Sequence, residues 1–386
     1  VLTAVFALSL LSCGREVTGP GNGLNYGRAR TAALALDPHM PTLFAQLAGA
    51  SDVVPFERVR IVLLRDDATV ALDTIVNFPA GADSLALTLT VPLPLNTPDE
   101  GLPLALSMAY INTQGDTVFR AGPSNILALP VGSTGSSQPI ILPVRYDGVG
   151  AGASAVVIAP DSLVVVAGTS SSFTAEALDG QGAAIPNTPL LFFTIDSTRA
   201  VVADPGVGGV TWLPVRGTAR IVAALPDGAR ADTAFVTVEL PASQLALGSG
   251  SAQVGPIGAT LPQPLVARVL AADGVPVPGV EVLFAVTTGG GSLSIQADTS
   301  DANGDVQTSW TLGTALGAQT VTATANGLTG SPLVFTATAD PSDPVQLAIL
   351  AQPVSGIAGA ALVPALIVAV QDIEGNTVPS YTGAVS

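Results

Sequence analysis

The sequence predicts an all-β chain of tandem antiparallel β-sandwiches, and three observations lead there. Hydrophobic residues make up 48% of the 386 positions and charged residues only 11%, and the apolar residues fall in short alternating runs bounded by turn formers, among them 41 glycines and 31 prolines. A period of two buries one face of a strand and wets the other, whereas the same Gly and Pro content without alternation would signal disorder. The second observation is an outline that occurs twice. In Asp301 to Ala323 a polar turn leads into a strand whose Val306, Thr308, Trp310 and Leu312 share one face, and a second strand, Gly317-Ala-Gln-Thr-Val-Thr-Ala323, follows. Upstream, Gly208-Gly-Val-Thr-Trp212 leads through Gly217-Thr-Ala-Arg220 to Ile221-Val-Ala223. Third, a signature ahead of these stretches closes on a proline each time: Asp179-Gly-Gln-Gly-Ala-Ala-Ile-Pro186, Asp273-Gly-Val-Pro-Val-Pro278 and Asp372-Ile-Glu-Gly-Asn-Thr-Val-Pro379. The prolines recur roughly every hundred residues, the length of one small sandwich, so the chain reads as an array.

At the start, the run from Val1 to Ser12 is apolar, too short to span a bilayer, and ends at the only cysteine, Cys13. Leu10-Leu-Ser-Cys13 resembles the lipobox of bacterial lipoprotein signal peptides, in which the cysteine is lipid-modified after cleavage. The resemblance implies that residues 1–13 are a signal segment with Cys13 as the lipidation site. Neither an initiator Met nor a basic stretch precedes the run, so the segment is read as truncated. Residues 14–24 are a Gly-rich tether without periodicity. In lipoproteins of this kind a Gly after the cysteine, here Gly14, implies the outer membrane.

Residues 25–146 are expected to form a first sandwich, of unplaced family. Val59, Ile61 and Leu63 make one apolar face, Leu85, Leu87, Leu89 and Val91 another, and Leu104, Leu106, Met108 and Tyr110 a third, with turn chemistry at Arg65-Asp-Asp-Ala-Thr69 and Asn112-Thr-Gln-Gly-Asp116 between them. Residues 147–154 are a Gly-rich linker and the expected bend. A second domain spans 155–240 and a third 241–339. Residues 340–344, Asp340-Pro-Ser-Asp-Pro344, are a linker stiffened by proline. Residues 345–386 open a fourth domain with Val345 to Leu350 and Ala365 to Val370, and its remaining strands are expected beyond Ser386.

The 29 acidic residues outnumber 13 basic ones, all arginine, for a formal charge of −16. Such a surface repels phosphate backbones, so nucleic acid is not an expected partner. Catalysis is not expected either. A hydrolytic nucleophile needs a base, and the one histidine, His39, sits between prolines in Asp37-Pro-His-Met-Pro41, where a solvated loop residue is the expectation. Gly148-Val-Gly-Ala-Gly-Ala153 imitates a dinucleotide fingerprint, but no helical pattern follows it. No cofactor or metal is expected. One cysteine and one distant histidine cannot make a zinc site, and Asp301-Ala-Asn-Gly-Asp305, which spaces oxygens like half of an EF-hand loop, has Val306 at the required glycine and Leu312 at the bidentate Glu. Turn carboxylates bonding their own backbone account for those letters. Trp212 and Trp310 could stack on sugars, but each shares its face with aliphatic neighbours, as core aromatics do.

The third domain resembles the bacterial Ig-like group 1 (Big-1) repeats of invasin and intimin type adhesins, through Pro276-Val-Pro-Gly-Val-Glu-Val-Leu-Phe284, Gly289-Gly-Gly-Ser-Leu293, Thr299-Ser-Asp-Ala-Asn-Gly304, Trp310-Thr-Leu-Gly313 and Val321-Thr-Ala323. The second is a looser match, closer to the group 2 (Big-2) style, through Val164-Val-Val-Ala-Gly168, Phe173-Thr-Ala-Glu-Ala177 and Phe235-Val-Thr-Val238. These resemblances imply tandem Ig-like sandwiches. With the lipobox they imply a non-catalytic, lipid-anchored protein of the cell envelope, at the outer membrane or cell surface, whose domains act as stalk and adhesion-type modules toward a protein or glycan ligand. Two alternatives stay open: a glycan-binding array of a polysaccharide-handling system, and a spacer for an enzyme domain beyond Ser386.

Overall fold

The computed structural model describes residues 3–8, 30–78, 84–132 and 139–384. Cys13, the tether at 14–24 and the first residues of the first domain lie outside the described residues. Among the described residues the fold is all-β, with antiparallel pairing dominant and two short helices in the first domain. Two compact units divide the chain between Glu239 and Leu240.

In the first unit, eight strands form one continuous sheet that folds over its own core. Its order is Thr3–Leu8, Ser84–Leu93, Arg30–His39, Ile140–Tyr146, Thr117–Ala128, Leu102–Ile111, Arg58–Leu64, Val70–Asn77. The fold-over happens in Ile140–Tyr146, whose first half pairs parallel with Leu36 to His39 and whose second half pairs antiparallel with Phe119 to Ala121. Pro143, which has no N–H to give, stands at that changeover. The predicted faces turn inward: Val59, Ile61, Leu63, Leu104, Leu106, Met108, Tyr110, Leu87, Leu89 and Val91 are all buried in one core. Thr3–Leu8, part of the run expected to be a signal segment, pairs parallel with Ser84 to Leu89 at the sheet edge. An apolar extended hexapeptide can satisfy an edge in this way.

One expectation is corrected in this unit. His39 is not in a loop: it is the last residue of the ten-residue strand Arg30–His39, with Pro38 paired to Leu142. The segment 147–154 carries hydrogen bonds of its own. Ala151 N–H donates to Gly148 O, Ala153 N–H to Gly150 O, and Ser154 N–H to Leu178 O, while Asp147 pairs with Arg120 at 2.8 Å. Consecutive turns satisfy the backbone that a flexible linker would leave to water.

The second and third domains repeat one plan around separate cores. In each, an early strand runs parallel to the last one: Ser162–Val166 beside Ala231–Glu239, and Gln253–Pro256 beside Leu333–Asp340. In each, the strand opened by Gly217 or Gly317 pairs antiparallel with that last strand. The face shared by Val306, Thr308, Trp310 and Leu312 is fully buried, yet it belongs to two strands. Asp305–Thr308 pairs with Leu265 to Arg268, and Trp310–Leu312 pairs with Gly291 to Leu293, so the chain changes sheets at Ser309. In residues 345–384 a two-stranded hairpin forms, Gln346–Ala351 with Ile367–Gln371.

The proline-closed signature has one physical cause in all three copies. A carboxylate turn reverses the chain: Asp179 Oδ1 accepts from Gln181 and Ala183 N–H, Asp273 Oδ1 accepts from Val275 N–H, and Asp372 Oδ1 accepts from Asn376 N–H. The returning residue then bonds the strand it left, Ile185 N–H to Ala177 O, Val277 N–H to Val269 O and Val378 N–H to Val370 O. The next residue is Pro186, Pro278 or Pro379, which cannot donate and so ends the pairing there.

Candidate functional site

The acidic turn Asp301 to Asp305 is one place in the fold where side chains could carry chemistry. Backbone hydrogen bonds from Asp305 and Asn303 hold the Asp301 carboxyl below its ordinary range, and Asp305 is engaged by Arg268 at 2.6 Å. A carboxylate already accepting two N–H groups and a neighbour clamped by a guanidinium are turn furniture rather than an open cation cradle. Among the described residues no three His, Cys, Asp or Glu side chains come together as metal ligands would.

His39 and Asp37 project from the same face of their strand, two residues apart, with Nε2 and Oδ2 3.2 Å from each other. Both side chains are about half exposed, at 56% and 48%. They line a groove of about 390 Å³ with Met40, Thr42 and Gln46. For nucleophilic catalysis the imidazole would have to bond a hydroxyl, and among the described residues its hydrogen-bond partner is Asp37 alone. The pair can hydrogen-bond a polar ligand group; a water-exposed pair of this kind adds little stability.

Neither tryptophan is a platform. Trp212 and Trp310 are 1% and 0% exposed, deep in the second and third cores. Trp212 Nε1 donates to Ser171 Oγ at 2.7 Å, and its ring stands edge-on to Phe173. The exposed aromatic beside a groove is Tyr381, 40% exposed, which lines about 300 Å³ with Pro344, Gln346, Leu347 and Val370.

The glycines of the third-domain signature also prove to be structural. Gly289, Gly290 and Gly291 all take positive φ, and a Cβ on Gly313 would stand 2.0 Å from Gly289 O. The buried Gln319 side chain locks this crossing, accepting from Gly313 N–H and donating to Gly313 O and Ala315 O.

What the sequence reading missed is helical. Thr42–Gln46 and Ala50–Val53 interrupt the first domain, with Phe44 and Ala50 buried. The signal was present: Leu43, Phe44, Leu47, Ala50 and Val54 recur at helical spacing just after Pro41.

Neither a protein-family model nor a curated protein matches the chain. Among solved structures, the chain is similar to the Yersinia pseudotuberculosis adhesin InvE, at 17% identity and TM-score 0.26 over 48% of this chain and 58% of that one. The Escherichia coli adhesin FdeC aligns at 18% identity and TM-score 0.35, over 62% of this chain and 95% of that one. Domains 1–6 of the surface layer protein SbsC align at 14% identity and TM-score 0.31, over 91% of this chain and 56% of that one.

Proposed function

We propose that the protein is a non-catalytic lipoprotein of the cell envelope, anchored through Cys13, whose Ig-like domains serve as stalk and adhesion-type modules at the outer membrane or cell surface. The observation that carries this reading is the use to which the signature residues are put. Asp301, Gly289 to Gly291, Trp310, Gly313 and the signature prolines are taken up by turns, sheet crossings and core, so they build a scaffold and form no reaction centre. Specificity then falls to loops and outer sheet faces, as in other scaffolded binding proteins. The lipobox reading of Leu10 to Cys13 supplies the anchor, and the acidic surface leaves proteins and glycans as partners rather than nucleic acid.

The test is metabolic labelling with an alkyne fatty acid, combined with proteinase shaving of intact cells. Labelled, shaveable wild type and an unlabelled Cys13→Ser protein are expected. A labelled Cys13→Ser protein, or a wild type protected from protease, overturns the anchor or the surface placement respectively. A glycan-directed role draws on Tyr381 beside its groove; Tyr381→Ala should then abolish retention on a glycan array, and retention unchanged by that substitution removes this second reading.

A further inference from the structure

The first two sandwiches lie in one compact unit, and their contact is made by an insertion. Between Arg30–His39 and Arg58–Leu64 the chain forms the helices Thr42–Gln46 and Ala50–Val53. Inward, the insertion is fixed to the first core, where the Phe44 ring meets Phe119 edge-on at 4.9 Å and Phe119 meets Tyr146 at 5.6 Å. Outward, it reaches loops of the second domain. A Cβ on Gly206 would stand 2.9 Å from Val53 Cγ2, one on Gly49 3.3 Å from Pro205 Cδ, and one on Gly228 3.7 Å from Leu43 Cδ2. Glycines at 206 and 228 let the backbone approach that closely.

The second domain contributes Leu191. Leu190 and Phe192 belong to its own core, whereas Leu191, 0% exposed, is part of the first domain's core. The cross-strand partner Ala224, and Val222 on the same outer face, are buried as well, while Thr218 and Arg220 further along that face are exposed. The outer face of the sheet is thus covered at one end and open at the other. Tyr146, the last residue of the first domain, donates to Val149 O, and burial together with Asp227 of the second domain raises its pKa.

We propose that the insertion Thr42–Val53 is a clamp that makes the first two sandwiches a single cooperative folding unit. Opening the first domain uncovers Leu191, Val222 and Ala224, so the second domain loses stability at the same moment. This inference does not depend on lipidation or adhesion.

The experiment uses the full chain carrying Trp310→Phe, in which Trp212 is the one remaining tryptophan and reports the second domain. Leu106→Ala opens a cavity in the first core alone. The opening equilibrium read by hydrogen exchange in Leu102–Ile111 is expected to rise about tenfold or more. The proposal expects Ala231–Glu239 to rise by the same factor, and the Trp212 midpoint in guanidinium to fall with it. An unmoved Trp212 midpoint while Leu102–Ile111 opens overturns the proposal. If Leu106→Ala leaves the first domain unfolded without denaturant, a still-buried Trp212 overturns it equally, and Ile61→Val gives the graded reading. Adding Leu43→Asp should uncouple the two responses; unchanged coupling in that variant removes the insertion as the clamp.

Discussion

Trp212 and Trp310 are both buried, and they differ in one hydrogen bond. Trp212 Nε1 has Ser171 Oγ at 2.7 Å, while Trp310 Nε1 is buried without a protein acceptor among the described residues. Substituting phenylalanine removes similar volume at either site, a packing loss of about 1–2 kcal/mol. At position 212 it also removes a hydrogen bond with a net contribution of about 1 kcal/mol. At position 310 it removes a donor whose unmet desolvation costs about 1–3 kcal/mol. Trp212→Phe should therefore cost about 2–3 kcal/mol, whereas Trp310→Phe should fall between a gain of about 2 and a loss of about 1 kcal/mol. Trp310→Ala, which empties the site, should cost about 3–5 kcal/mol. Hydrogen exchange in the full chain reads each domain separately, through Gly217–Ala224 for the second and Gly317–Thr324 for the third. A Trp310→Phe cost equal to or above that of Trp212→Phe refutes the reasoning, because it means the indole N–H at 310 is satisfied.

Other outcomes follow from the turns and crossings. Asp301 is held below its ordinary 3.8 by backbone hydrogen bonds, and Asp196 and Asp73 by their bonds to Arg220 and Arg60. A carboxyl with a depressed folded pKa gives its full stabilisation above the unfolded value and loses it as pH falls through the folded one. Denaturant midpoints should thus stay level from neutral pH to about pH 5 and fall below about pH 4, and Asp301→Asn should flatten part of the third domain's fall. Gly313→Ala drives a Cβ to 2.0 Å from Gly289 O and should cost the third domain at least about 2 kcal/mol in chemical denaturation. Gly327→Ala is the control: its φ of +77° is strained for alanine but no atom lies within 4 Å, so a cost of about 1–2 kcal/mol is expected.

Strand faces were legible because period two leaves little room for error. A one-residue slip would have put Val59, Ile61 and Leu63 in water, and all three are 0% exposed. Turn chemistry was legible for a similar reason, since Asp301 and Asp372 act on residues within four positions of themselves. Pairing was not. Val306 and Leu312 share a face by parity, but nothing local says that the chain changes sheets at Ser309 or that Ser162–Val166 runs parallel to Ala231–Glu239. Those are contacts across tens of residues, set by which edges are free when the sandwich closes. Leu191 shows the same limit from the other side. In Leu190-Leu-Phe-Phe193 an apolar run masks the alternation, and only the neighbouring domain tells which residue faces out.

The charge pattern bears on how copies of the chain meet one another. Several arginines are held on aspartates across the strands: Arg60 on Asp73, Arg268 on Asp305 and Arg220 on Asp196. Pairs this exposed contribute little to stability, so their main effect is to neutralise the few cations the surface has. What is left uncompensated over the chain is acidic, and the surface also exposes outer-face apolar residues such as Val164 and Phe235, which are 65% and 56% exposed. Without that charge, neighbouring sheets carrying such residues would associate face to face. With it, copies repel one another within roughly a Debye length, about 8 Å at physiological salt, while single apolar side chains stay available at contact. A chain without lysine and with few charged groups can in this way expose apolar sheet residues while its copies repel one another.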